Sequence, residues 1–317
     1  MAKISIENYR EQQWKIQQKS MQEMEKTVER VLSGKVSDDI IEDVAYGLVQ
    51  QYGDAAASVA CEFYDTLAEN AGANVPDAEA AEPAGYDDVR NVVQSRPVTE
   101  SPGAVGRFVK QAAEETMLQN CKRDHGEFAW VPSPGTKCAF CITVASNGWR
   151  RIRSSDHAEH LHHNCKCEYV VRFDETTEVD GYDPDRLFDI YDNMAGAKPE
   201  DKIRSLQRLL NGKNPLTLEQ IDFIIGLEKD SSILGTKTPG EWKTFFENLG
   251  FDIEPLGKGS LKGIKYEDGG GYRIHYRGDG YLQYHPAGAH HIEAYYKRSS
   301  AKDGVRRYKL DGSEKDD

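Results

Sequence analysis

The chain has 317 residues, a net charge of −13 and a hydrophobic fraction of 38%, enough for about two or three domains with ordinary cores. No apolar run approaches the roughly 20 residues needed to cross a bilayer, and residues 1–7 lack the apolar stretch of a signal peptide. Synthesis in a reducing cytoplasm is therefore expected, where thiols hold metal more often than they pair. The acidic balance argues against a uniformly basic nucleic-acid binder, but it is unevenly spread. Residues 1–100 carry nineteen acidic and nine basic side chains, and 174–254 carry eighteen and nine. By contrast 121–173 (eight basic, five acidic) and 255–317 (twelve and nine) are mildly positive and hold every histidine.

In chain order, residues 4–33 read as a long amphipathic helix with Ile4, Ile6, Tyr9, Trp14, Ile16, Met21, Met24, Val28 and Val31 on its apolar side, ending at Gly34. Ser37-Asp38-Asp39 offers cap chemistry for a second helix through Ile41, Leu48, Tyr52, Ala56, Phe63 and Leu67 to a stop near Gly72. The small, acidic, proline-punctuated stretch 72–86 reads as a surface loop. A short helix follows over 86–93, and Ser101-Pro102-Gly103 opens another through Phe108, Met117 and Leu118. Cys61 and Cys121 stand apart from the other cysteines and read as packing residues.

Glu127–Val131 and the following Pro132 read as a strand leading into the densest cluster of the chain, and 167–173 as the strand leading out. Between them, residues 138–167 hold four of the six cysteines and four of the nine histidines. Cys138-x-x-Cys141 presents two thiolates to one ion, and in extended chain Cys165 and Cys167 point to one face with His162 three residues upstream. Tetrahedral Zn2+ needs four such ligands and five are offered, so a closed structural site is expected rather than a catalytic one with an open position. Which of His162, Cys165 and Cys167 completes the set is open. The metal would clip the two ends of a strand-turn-strand excursion. A thioredoxin-type redox pair would want its Cys-x-x-Cys at the start of a helix after a strand and would not need the second cluster. Disulfides would need an oxidising compartment, and four thiols without partners would rarely crowd with histidine.

A helical N-terminal half followed by Cys138, Phe140, Cys141 and then His162, Cys165 and Cys167 before a strand resembles the MuF-like minor head proteins of tailed bacteriophages. Trp130-Val131-Pro132 and Ala145-Ser146-Asn147-Gly148 stand where that family commonly has Val-Pro and a small-residue/Gly step. The resemblance covers about residues 1–175. One departure is His163, where the family often has proline, so either imidazole is a candidate ligand. The resemblance implies a few-copy virion protein inside the capsid, associated with the portal protein and with capsid or scaffolding proteins, acting in head morphogenesis or early delivery of phage DNA.

Residues 174–192 read as acidic and irregular. Helices are expected over 199–210, 217–227 and 239–249, the last closed by Gly250. Strand-like runs at 251–253, 263–266, 272–276, 282–285, 294–299 and 305–310 then make a helix on an antiparallel sheet the economical fold. Its polar inventory is His275, Arg277, His285, His290, His291, Tyr295, Tyr296, Lys297, Arg298 and Arg307. Paired histidines for proton transfer with Lys or Arg to stabilise an anionic phosphorane suit metal-independent RNA cleavage, with the substrate's own 2′-hydroxyl as nucleophile. The candidate catalytic residues are His285, His291, Tyr295, Lys297 and Arg277. The pattern is similar to the barnase–EndoU–colicin–RelE type of nuclease domain, which implies a delivered toxin acting on host RNA.

The reading is thus an α+β chain: a helical domain (1–125), a zinc-knuckle region (126–175), an acidic helical linker (176–235) and an α+β module (236–317). The rival readings are a purely structural virion protein, whose tail faces the capsid or portal, and a host regulatory nucleic-acid binder. The latter would require a stronger positive field around Arg150, Arg151 and Arg153. A second metal site at His285, His290 and His291 lacks a cysteine or carboxylate companion.

Overall fold

The computed structural model describes residues 3–153, 165–275, 277, 280–288, 292–300 and 304–315. Contacts divide the chain into two compact units, Met1–Pro134 with Val144–Pro184, and Gly135–Thr143 with Asp185–Asp317.

The first unit is built on helices α1 (Glu7–Leu32), α2 (Ile40–Ala71), α3 (Tyr86–Gln94) and α4 (Ser101–Arg123). Helix α2 ends as expected at Gly72, whose left-handed φ of 63° only glycine adopts without strain. Asp39 stands at the start of α2 but makes no side-chain capping bond. The first helix differs from its reading in two ways. It starts at Glu7, because Lys3–Ile4 (β1) pairs in parallel with Glu178–Val179 (β5). Its buried stripe is Tyr9, Gln13, Gln17, Ser20, Met24 and Val28, whereas Trp14, Ile16 and Val31 are half-exposed. The buried glutamines are tolerated because each finds a backbone carbonyl: Gln13 Nε2 donates to Ala56 O at 2.8 Å and Gln17 Nε2 to Gly106 O at 3.0 Å. Glycine at 106 permits the close approach, since a Cβ there would lie 2.6 Å from the Met21 sulfur.

Beside the helices lies a three-stranded antiparallel sheet ordered β3 (Arg150–Arg151), β2 (Glu127–Val131), β4 (Glu168–Arg172). The two expected strands thus pair directly, Val131 opposite Glu168 and Glu127 opposite Arg172. The excursion between them is not a plain turn: Ala139–Ala145 forms helix α5. Cys121 is buried, and burial pushes its thiol up to about 12; Cys61 is half-buried.

In the second unit, the run expected to be irregular contains α6 (Pro184–Asp192), whose Leu187 and Ile190 are buried among acidic neighbours. Helices α7 (Pro199–Asn211), α8 (Leu218–Lys229) and α9 (Pro239–Asn248) follow, the last two opened by capping boxes at Thr217–Gln220 and Thr238–Glu241. A five-stranded antiparallel sheet completes the unit in the order β10 (Gly304–Tyr308), β9 (Tyr295–Ser300), β8 (Tyr281–His285), β7 (Tyr272–His275), β6 (Glu254–Pro255). Residues 263–266 form no strand; a 3₁₀ turn covers Tyr266–Asp268. An aromatic core joins Phe223 of α8, Trp242, Phe245 and Phe246 of α9, Phe251, and the sheet residues Tyr272, Tyr284 and Tyr296. The chain is α+β, as its sequence pattern indicates.

Candidate functional sites

Strand pairing brings residue 167 back beside residue 132. Ser133 N–H accordingly donates to the Cys167 sulfur at 3.4 Å. Cys138 immediately precedes α5: its carbonyl accepts from Ile142 N–H at 3.1 Å, and its sulfur lies 3.5 Å from the Cys141 amide. Two amides anchor this segment to α7, Asn211 Nδ2 donating to Lys137 O at 2.8 Å and Gln207 Oε1 accepting from Ala139 N–H at 3.4 Å. The sulfurs of Cys141, Cys165 and Cys167, all buried, lie within 4.8 Å of one another. Cys138 is half-exposed and outside that group, and His162 lies outside the described residues.

This group could hold a metal ion. Three buried thiols so close would repel one another if ionised and would be costly to leave charged in an apolar site; a bound cation removes both costs, and sulfur is the ligand that soft and borderline ions take. The Cys-x-x-Cys does sit at a helix start after a strand, the setting of a redox pair, but two further buried sulfurs crowd Cys141, which a dithiol exchange site does not need.

Behind Cys165 lies a buried ion cluster. Lys110 of α4 reaches Glu114 at 2.7 Å and Glu168 of β4 at 2.6 Å, with side-chain exposures of 4%, 0% and 2%. Glu114 also accepts from Tyr169 N–H at 2.8 Å. Burial alone would lower the Lys110 ammonium, but Glu114, Glu168 and Cys165 outweigh it and hold it above its usual range. Burial holds the Glu168 carboxyl well above its own, against the pull of Lys110. The cluster fastens β4 to α4, which fixes where Cys165 and Cys167 enter the sheet. Spacing of cysteines could not reveal it; the Lys110–Glu114 separation of four on a helix was the visible signal.

In the second unit the alternation of β8 and β9 sorts the polar inventory. Tyr296 and Arg298 share one face and are buried, and Tyr295 on the opposite face is buried as well. On the other face His285 stands opposite Tyr295, their rings stacked at 4.8 Å and 5°, and Gln283 stands opposite Lys297. His285 Nε2 lies 3.2 Å from Gln283 Oε1. Burial, then Arg307 and Lys258, hold the Lys297 ammonium below its usual range. The structure therefore brings together His285, Tyr295 and Lys297. Arg277 instead pairs with Glu228 of α8 at 3.2 Å, and His290 and His291 lie outside the described residues. Lys258 escaped the sequence reading because it lies in a glycine-rich loop with no strand periodicity to place it.

The family model described as VG15 protein matches residues 1–194, which include both strands and all four clustered cysteines. The chain belongs to the VG15 family. It is thus a phage virion-associated protein, and among the described residues no helix is long and apolar enough to cross a membrane. No curated protein and no solved structure matches the chain.

Proposed function

We propose that this VG15-family chain is a MuF-like minor head protein, carried inside the capsid and associated with the portal, whose first role is structural. The observation that carries this reading is the convergence of Cys141, Cys165 and Cys167 at the base of a paired-strand excursion within the family-matching part of the chain. The ion is Zn2+, bound by these three sulfurs and a fourth ligand from Cys138 or His162. With every position filled by protein, its contribution is to folding: it holds α5 and the approach to β4 where local apolar content is small. Metal analysis of the purified chain should find close to one zinc per molecule. Chelation, or Cys138→Ser with Cys165→Ser, should lower the melting temperature by more than ten degrees; full retention of stability by the double variant would sink the zinc assignment.

A second reading adds chemistry to the C-terminal unit, supported by the stack of His285 on Tyr295 beside Lys297. In this reading the unit is a delivered, metal-independent ribonuclease in which the imidazole moves the proton and Lys297 stabilises the phosphorane. Expression of the full chain in bacteria should arrest growth with RNA degradation, relieved by His285→Ala or His291→Ala. A harmless wild-type chain with no activity on RNA would leave the purely structural virion protein standing.

A further inference from the structure

Two side chains of α1 reach the cysteine segment from the far end of the chain. Arg10 Nε donates to Lys166 O at 3.1 Å and its Nη2 to Pro132 O at 3.2 Å, so one guanidinium bridges the chain just after β2 and just before β4, across 122 and 156 residues of sequence. Trp14, one helical turn on, holds the Lys166 ammonium over its ring at 3.8 Å from the centroid. Both carbonyls that Arg10 grips belong to peptide groups that meet Cys167. The Pro132 carbonyl shares its peptide with the Ser133 N–H, which donates to the Cys167 sulfur at 3.4 Å. The Lys166 carbonyl shares its peptide with the Cys167 N–H. A cation hydrogen-bonded to a carbonyl polarises the whole peptide and makes its N–H a stronger donor. Lys110 fixes the neighbouring Glu168 at 2.6 Å, but it meets carboxylates, whereas both acceptors of Arg10 are neutral carbonyls.

We propose that Arg10 is a positioning residue of the metal site, acting through the Pro132–Ser133 peptide to hold the Cys167 sulfur as a thiolate ligand. Zn2+ with three or four thiolates carries net negative charge, and an N–H···S bond from a polarised peptide spreads that charge away from the sulfur. The planar fork of arginine keeps two carbonyls in fixed register, which a compact ammonium on a flexible stem does not. Trp14 restrains Lys166, and with it the second carbonyl. The inference rests on the zinc reading and adds a consequence to it: the site is complete only once the start of α1 has docked on segments more than a hundred residues away.

The test is competition for zinc between the reduced full-length protein and a chromophoric chelator. Arg10→Ala should weaken zinc binding about tenfold, and Arg10→Lys should recover only part of that loss. Trp14→Leu should weaken binding about threefold. Loading with Co2+ adds a readout that a merely structural role would not move. Weakening the N–H···S bond raises the energy of the sulfur electrons, so the thiolate-to-cobalt charge-transfer band should shift to longer wavelength in Arg10→Ala. Circular dichroism of the metal-free variants checks the fold, and Arg10 and Trp14 are both half-exposed, so neither substitution opens a core cavity. Wild-type zinc affinity or an unmoved cobalt band in Arg10→Ala would overturn the role of Arg10 and leave the zinc site standing. Full affinity in Arg10→Lys would also overturn the bridge, since charge alone would then suffice. A wild-type chain that takes up neither zinc nor cobalt would overturn the zinc reading itself, and the role of Arg10 with it.

Discussion

In the first unit a buried lysine, Lys110, meets two carboxylates; in the second a half-buried lysine, Lys297, meets an arginine and another lysine. Both are charges partly removed from water, yet one is answered by carboxylates inside the fold, while among the described residues the other forms no ion pair with a carboxylate. The difference separates two uses of charge. Where the counter-ion is supplied by the same chain, the group fastens elements together, here α4 to β4. Where it is not, burial and neighbouring cations hold the ammonium below its usual range.

Substitutions can break this contrast at either end. The largest effect is expected for Lys110→Met, which leaves Glu114 and Glu168 buried without their cation and should cost about 3–5 kcal/mol. In hydrogen-exchange experiments the loss of protection should fall on α1, α4 and β4 and spare β7 to β10; uniform loss would argue against a local fastening role. Replacing all three charged residues by apolar ones of similar size should recover most of that loss. Phe246→Ala, in the centre of the aromatic core of the second unit, should cost about 3 kcal/mol and reverse the pattern, exposing the sheet while α1 to α4 stay protected.

A smaller effect concerns Asp124, which accepts from Tyr64 at 2.8 Å and Arg123 at 2.7 Å. Hydrogen bonding from Arg123, opposed by burial and aided by Tyr64, holds its carboxyl below the ordinary 3.8. Its contribution is therefore complete above about pH 4 and disappears as the pH falls through the lowered value. Asp124→Asn should cost about 1–2 kcal/mol at pH 7 and flatten the acid limb of stability against pH; an unchanged acid limb would show that the pair contributes nothing. The smallest, about 1 kcal/mol, is expected for Thr238→Ala, which removes the hydroxyl that accepts from Glu241 N–H at the start of α9. It is measured by urea unfolding, with Thr238→Ser as the control that keeps the cap.

What the sequence revealed and what it hid follow from the same physics. The long helices were legible because apolar residues recur at their period, and the cysteine cluster because ligand spacing is a local property. The buried face of α1 was hidden, because Gln13 and Gln17 are core residues only by virtue of carbonyls on α2 and α4 that sequence cannot place. Helix α5 was masked because a seven-residue apolar run fits a strand or a helix equally. In α6, dense acidic residues concealed Leu187 and Ile190. The separation of Tyr296 and Arg298 from Tyr295 and Lys297 was readable from alternation alone, but choosing which parity faces the core required the register with β8.

The two glutamines of α1 also determine how the helical unit responds to load. Because Gln13 is latched to α2 and Gln17 to α4, sliding α1 along its axis by a single turn would strand both buried amides at once. An all-apolar interface offers many nearly equivalent positions for a helix, whereas these polar latches leave one. The helix is thus keyed against axial shear.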